Sequence, residues 1–533
     1  MQNKDPKFSD AGIYLLLAIL VLPALLTNLG MITLIGDEGI RTLVALEMDR
    51  SGNYITPTLH GEFYYKKPPL FNWLVLAFFK LTGSESEFSA RLTTVFFLLV
   101  YAGTIIAVLR RYFTLRFAVT VALMLVTCGR MLFYDSMLAL IDTCFSWVMF
   151  LNFMLVYYFF KRCAWWPLML VSYFLTATGF MLKGLPALVF QATTLLTLFI
   201  WKREFKRLFH LPHIAGILFL AALLGSYYYA YAQYNALEFL FYTIFDESSQ
   251  RTAVNYGWTA TLWHLLSFPF EMHYHFLPWT LLSVAFLNRR VRSWIRENEF
   301  VHYCLLILLT NLIPYWLSVE VYPRYLLMHV PLYFIVVLYL FKKLPRSSWQ
   351  VRTVEIVFGS LAGLMVLAAL VPAVVPLRTY VPYVGVKCGL LFVLFAGCAY
   401  LFYHRRAQRL LIFGAVLLTF RLGFDWFVLP DRLREDRGTE VRLSTLDVAR
   451  RYGERPLAVF DDSYIETVSG YYLTRATGRI IPRVFENFDT TTTYIFDPTK
   501  FEPAIDPTDD LLIRTDRRTL PLGKLRSDFV PAD

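Results

Sequence analysis

Two adjacent carboxylates, Asp37 and Glu38, follow the first long apolar run of the chain, Ile13 to Ile35. A carboxylate held at a membrane edge is partly desolvated, which raises its pKa. It can then take a proton from an attacking hydroxyl or amine. The same pair can instead cap the start of a helix, where negative charge meets the helix dipole, so the acids alone leave both readings open. Another acid, Asp142, opens a later apolar run in Leu140-Ile141-Asp142-Thr143, with Asp135 as its rival. At a span end an acid avoids the roughly 2.5–3.5 kcal/mol it costs at the bilayer centre. Lys183 sits between two apolar runs, and Arg324 lies in a turn with Glu320, Tyr322 and Tyr325. A guanidinium fork suits phosphate oxygens, whereas a lone lysine at a span end often only snorkels to the interface. His273 and His275 stand two apart beside Glu271. Such a pair can bind metal, but here it lies among aromatic residues at an interface. The expectation is no cofactor, with a divalent metal as the alternative. No P-loop or GxGxxG is present, so nucleotide binding has no support.

These residues need a scaffold, and composition says which kind. Of 533 residues, 57% are hydrophobic and only 17% charged, against roughly 25% charged in a soluble domain. The net charge of +11 does not indicate nucleic acid, because Lys and Arg come in short clusters between apolar spans. The six cysteines sit in or beside spans without CxxC spacing and read as packing residues. The weakly basic start, Lys4 and Lys7, precedes a run that reads as a retained first helix rather than a signal peptide.

Hydropathy gives about thirteen spans, near 11–36, 88–109, 115–134, 138–160, 164–182, 184–202, 213–233, 273–288, 299–318, 324–342, 352–376, 382–403 and 409–428. Arg110 and Arg111, Lys161 and Arg162, Lys202 and Arg203, Arg289 and Arg290, Lys342 and Lys343, and Arg405 and Arg406 follow every second span. That alternation places these junctions and the N-terminus in the cytoplasm. The expected fold is an α-helical polytopic membrane protein, a transmembrane unit over 1–429 with outer loops 37–87 and 234–272. A small α/β domain over 430–533 follows outside the membrane, with strands near Leu457–Phe460 and Leu511–Ile513 and a helix near Tyr464–Tyr472.

The first outer loop carries more than its acids. After Asp37-Glu38 come Glu47-Met48, Ser51-Gly52-Asn53-Tyr54, Pro57, Leu59 and Gly61, Tyr64-Tyr65, then Lys66-Lys67-Pro68-Pro69-Leu70 and Trp73. This series resembles the first periplasmic loop of the GT-C glycosyltransferases, in particular the bacterial aminoarabinose transferases that modify lipid A and the wider protein O-mannosyltransferase-like family. Arg41 lies one place later than in the aminoarabinose transferases. The resemblance continues at Asp142, at Lys183-Gly184, and in Asp246-Glu247-Ser248-Ser249-Gln250-Arg251 ahead of Pro278-Trp279.

The resemblance implies a bacterial inner-membrane enzyme that moves a sugar from a polyprenyl-phosphate donor to lipid A or another envelope glycolipid on the periplasmic side. A protein acceptor is the alternative. Asp37 is expected as base with Glu38 in support, and Asp142 orients sugar or acceptor. Lys67, Lys183 and Arg251 hold the donor phosphate, and Arg41, Lys66, Tyr65, Glu247 and Arg324 complete the substrate contacts. The rivals are a lipid-carrier transporter or flippase, which would show paired halves or broken spans near the midplane, and a non-catalytic assembly subunit.

Overall fold

The computed structural model describes residues 10–249, 257–374, 380–501, 505–515 and 518–526. Its apolar runs form helices, as lipid demands, since a helix satisfies its own backbone polar groups where no water can. The chain begins with α1 (Asp10–Leu26) and α2 (Asp37–Ser51), then a two-stranded hairpin, β1 (Thr58–Leu59) with β2 (Glu62–Phe63), and α3 (Leu70–Thr82). The bundle continues through α4 (Glu87–Leu109), α5 (Leu115–Thr127), α6 (Gly129–Phe133), α7 (Ile141–Lys161), α8 (Trp165–Lys183), α9 (Pro186–Trp201) and α10 (Leu211–Ala232). Then come α11 (Leu237–Ser249), α12 (Trp258–His275), α13 (Val291–Glu297), α14 (Glu299–Trp316), α15 (Val330–Lys343), α16 (Trp349–Ala368), α17 (Val371–Val374), α18 (Val384–His404) and α19 (Arg409–Gly423).

Among the described residues seven helices are long and apolar enough to cross a membrane, or eight if the bent pair Leu115–Thr127 and Gly129–Met137 is one span. The expected thirteen therefore include shorter or broken pieces. The clearest difference is at 273–288. There α12 ends, the chain breaks at Leu277-Pro278, and a nine-residue 3₁₀ helix, Trp279–Leu287, follows. At about 2.0 Å per residue such a helix reaches only ~18 Å of a ~30 Å hydrocarbon core. Residues 258–272, expected as outer loop, are helical.

The basic junctions gather at one end of the bundle because shared acids tie them together. Asp10 holds Arg116 at 2.8 Å and also accepts from Gln408, while Glu299 pairs with both Lys161 and Lys202. Lys343 meets Glu297 at 2.9 Å. The other end carries α2, the hairpin and the C-terminal unit.

That unit begins after a π turn (Phe424–Val428) with α20 (Leu429–Arg434) and α21 (Arg437–Tyr452), and contains α22 (Thr467–Thr477) and α23 (Pro498–Phe501). Its strands β3 (Leu457–Phe460), β4 (Arg483–Val484), β5 (Thr493–Ile495), β6 (Ile505–Arg514) and β7 (Thr519–Leu525) form one mixed sheet in the order β4-β3-β5-β7-β6. Strand β3 is parallel to both neighbours, while β7 is antiparallel to β5 and β6. Val448, Val459, Leu473, Ile495 and Leu522 fill its own core. Helix α22 presses on α2 at Gly39, where an added Cβ would lie 2.6 Å from Thr467 Oγ1. Tyr472 donates to Glu87 at 2.7 Å. The tail is thus seated on the first loop, which it helps to hold.

Candidate active site

Helix α2 begins at the candidate base. Gly36, at φ 54°, turns the chain through a conformation that favours glycine, and Asp37 and Glu38 occupy the first turn, where the dipole favours acids. The two then part. Glu38 is fully buried against Arg91 of α4, also fully buried, with Nε at 2.9 Å and a terminal nitrogen at 3.0 Å. Arg91 also donates to the carbonyls of Leu29, Ile32 and Thr33, and Glu38 accepts from the backbone of Ile35 and Ala139. Every strong acceptor position of Glu38 is occupied, so it braces the loop rather than meeting a substrate.

Asp37 faces the other way, with 47% of its side chain exposed. Arg324, in the 3₁₀ turn Pro323–Leu326, donates to it at 2.8 Å and approaches Asp142 at 3.5 Å. Asp142, in the first turn of α7, accepts from Lys183 Nζ at 2.5 Å. Lys183 closes α8 and lies 3.9 Å from the centre of the Tyr325 ring. Residues 37, 142, 183 and 324 therefore form a single alternating string of acid and base drawn from four separate elements. A buried charge must be paired to persist, and each charge here neutralises the next. The ammonium of Lys183 has three donors, so its bond to Asp142 leaves two for a phosphate.

The landmarks of the first loop hold its shape. Glu47 accepts from Thr58 Oγ1 at 2.7 Å and from the backbone of His60 and Gly61, pinning the hairpin to α2, and burial raises its pKa. Asn53 caps the turn by accepting from Ile55 and Thr56, and Trp73 donates to the Tyr54 carbonyl at 2.6 Å. Arg41 is buried and donates to the Tyr64 hydroxyl at 3.2 Å. Its other terminal nitrogen, Nη1, is buried without a hydrogen-bond partner. Tyr65 accepts from Asn235 at 3.0 Å, and Lys67 borders a narrow cleft with Tyr64, Tyr65, Tyr227 and Tyr231. Lys67 is close enough for its charge to act on Lys183. Lys66 is exposed.

Arg251 lies outside the described residues, and Glu247 falls in α11 with its side chain outside them. Asp135 is engaged by Arg130 at 3.1 Å. His273 bonds Tyr333 and His275 faces Glu271, so the two histidines diverge. Among the described residues no three His, Cys, Asp or Glu are grouped to hold a metal ion. Sequence reasoning missed Arg91, although an arginine in the first turns of a span-length apolar helix is itself a signal.

Residues 66–229 match the family model of the dolichyl-phosphate-mannose-protein mannosyltransferases. Two solved structures have the same fold. ArnT from Cupriavidus metallidurans bound to undecaprenyl phosphate superposes with a TM-score of 0.70 at 18% identity, covering 98% of this chain and 100% of that one. The apo state of the same protein gives 0.66 at 16% identity, covering 98% and 99%. No curated protein matches the sequence. The resemblance read from the first loop is borne out by this match and by the shared fold.

Proposed function

We propose that this chain is an integral-membrane glycosyltransferase that moves a sugar from a polyprenyl-phosphate donor to lipid A or another envelope glycolipid. The match over residues 66–229 supports the reaction class, and the fold shared with a protein bound to undecaprenyl phosphate supports the donor. The observation that carries the reading is the string Asp37–Arg324–Asp142–Lys183, set where the first loop meets the bundle. The alternating basic junctions support a cytoplasmic N-terminus, with the site and the tail on the periplasmic side of a bacterial inner membrane.

In the reaction an acceptor hydroxyl or amine attacks the anomeric carbon. The bond from that carbon to the phosphate oxygen breaks, and the phosphate leaves with the electron pair, still on its lipid. Asp37 takes the acceptor's proton. Arg324 holds Asp37 in position, Asp142 orients Lys183, and Lys183 with Lys67 and Arg251 stabilises the charge that grows on the leaving phosphate. A single displacement inverts the anomeric centre. Tyr65, Lys66, Arg41 and Glu247 border the substrate.

A protein acceptor is the second reading, favoured by the description of the matching family. The test supplies purified protein with undecaprenyl-phosphate sugars and either a lipid A fraction or a protein extract, and weighs the acceptor. A sugar-sized gain on the glycolipid that vanishes in Asp37→Asn supports the first reading, and a gain on protein alone supports the second. No gain with any donor, with wild type and variant alike, overturns both.

A further inference from the structure

Acids answer some of the basic junctions, as Asp10 and Glu299 do, but one neighbouring pair is left positive. Arg111 follows α4 and Arg162 follows α7. With Tyr112, Tyr157, Tyr158 and Lys161 they line a hollow of about 490 Å³ at the basic end of the bundle. Both guanidinium groups lie over one ring, that of Tyr158, at 4.6 and 4.3 Å from its centre. They are therefore within about 9 Å of each other, close to the ~8 Å Debye length at physiological salt, so salt screens their repulsion only in part. Neither has a carboxylate partner among the described residues. Glu299, which pairs with the adjacent Lys161, is shared with Lys202.

Two guanidinium groups held over an aromatic ring complement an anion with several acceptor oxygens, as a phosphate has. The tyrosines add donors, since the hydroxyls of Tyr112, Tyr157 and Tyr158 bond to no other residue among the described ones. Two of these rings are packed in place. Tyr112 stacks on Phe300 with centres 4.0 Å apart, and Tyr157 lies 4.5 Å from Tyr303. The surface leading to the hollow is apolar. Leu151, Leu155 and Phe159, spaced four apart on α7, are only partly buried and make one stripe from mid-span toward Arg162. On α4 the exposed Gly103 and Ala107 lead toward Arg111, and a Cβ added at Gly103 would meet nothing within 4 Å. A soluble phosphate makes no use of such a path, whereas an acyl chain does.

We propose that this hollow seats the phosphate headgroup of an anionic phospholipid of the cytoplasmic leaflet, with an acyl chain along the exposed faces of α4 and α7. Basic pockets between spans on that side suit such headgroups. Asp142 opens α7 and the hollow closes it, so the 21 residues of the helix put about 30 Å between this lipid and the string of charges at the other end. The inference rests on the orientation given above and not on the transfer chemistry. Wild type, Arg111→Gln/Arg162→Gln and Arg289→Gln/Arg290→Gln are titrated in detergent with phosphatidylglycerol and with phosphatidylcholine, and the first bound lipid is read by native mass spectrometry. Glycerol 3-phosphate is added in excess as a soluble competitor. Arg111→Gln/Arg162→Gln should bind phosphatidylglycerol roughly thirtyfold more weakly, the scale of two interfacial arginines. The second variant, which removes two exposed charges outside the hollow, should bind as wild type does. Phosphatidylcholine should bind wild type much more weakly than phosphatidylglycerol, and glycerol 3-phosphate should displace neither. Unchanged binding in Arg111→Gln/Arg162→Gln, an equal loss in Arg289→Gln/Arg290→Gln, or equal binding of the two lipids would each overturn the proposal. Displacement by glycerol 3-phosphate would overturn it too, in favour of a soluble phosphate. Those outcomes leave the transferase reading standing, whereas wild type that holds phosphatidylglycerol as described yet transfers no sugar refutes that reading instead.

Discussion

Asp37 and Glu38 are neighbours in the chain, yet their substitutions should fail in opposite ways. In Glu38→Gln the buried Arg91 loses its charge partner. Removing one member of a buried ion pair costs about 3–5 kcal/mol. The lower figure applies here, because Arg91 keeps the carbonyls of Leu29, Ile32 and Thr33. With an unfolding entropy near 2.1 cal/mol/K per residue, a chain of 533 residues loses about 3 °C of melting temperature for 3 kcal/mol. Glu38→Gln/Arg91→Met, which also takes the donor from the carbonyls of Leu29, Ile32 and Thr33, should melt lower than Glu38→Gln alone. Asp37 is half exposed, and its pair with Arg324 is at the surface of the site, so Asp37→Asn should cost about 0–1 kcal/mol. Its turnover should fall by roughly 10²–10⁴-fold, the usual contribution of a positioned base. The assay is thermal unfolding in detergent beside sugar transfer by the same preparations. The reasoning is refuted if Asp37→Asn melts several degrees low and still turns over, or if Glu38→Gln melts like wild type.

Other expectations follow from the same geometry. Lys183→Met strands Asp142 without its closest cation and should lower stability by about 3–5 kcal/mol; Asp142→Asn/Lys183→Met should recover much of that stability and none of the transfer activity, as melting and turnover measured together will show. Arg324→Lys keeps the charge but not the fork that reaches Asp37 and Asp142 at once, so turnover should fall roughly tenfold or more with little change in melting, and equal turnover would contradict the bridging role. His60 is buried beneath Gly470, and burial, with the Arg483 charge adding, pushes its pKa down to about 4. Its folded value lies below the unfolded one, so the stability it allows is present above about pH 6.5 and is lost as pH falls toward 4, by about 3 kcal/mol. His60→Asn, at a positive φ that asparagine tolerates, should flatten the melting profile over that window, and an unchanged profile would show that other groups govern it.

Much of the bundle was legible because lipid forces apolar runs into helices and because basic junctions alternate. The segment at 273–288 was not, since hydropathy measures apolarity and not whether a run is one α-helix; Pro278 was the available sign of a break. The tail's strands at Leu457–Phe460 and Leu511–Ile513 were readable from β-branched and aromatic runs, but its docking on Gly39 and Glu87 depends on contacts that no local pattern encodes. For the site, Asp37, Asp142, Lys183 and Arg324 were each nameable as charges at span ends, and only the fold put them in one string. Glu38 reads the same as Asp37 in sequence; the difference between them is the direction each side chain takes from one helical turn. Glu47, Asn53 and Trp73 mark the loop's family pattern because they staple its backbone.

The most direct measurement places the purified protein in vesicles with an undecaprenyl-phosphate sugar and lipid A, and quantifies free undecaprenyl phosphate and sugar-bearing acceptor in the same reaction. The account predicts that the two rise together, one for one, and that neither forms with Asp37→Asn. Intact sugar carrier crossing the bilayer with no free carrier phosphate and no product would contradict it and identify a flippase.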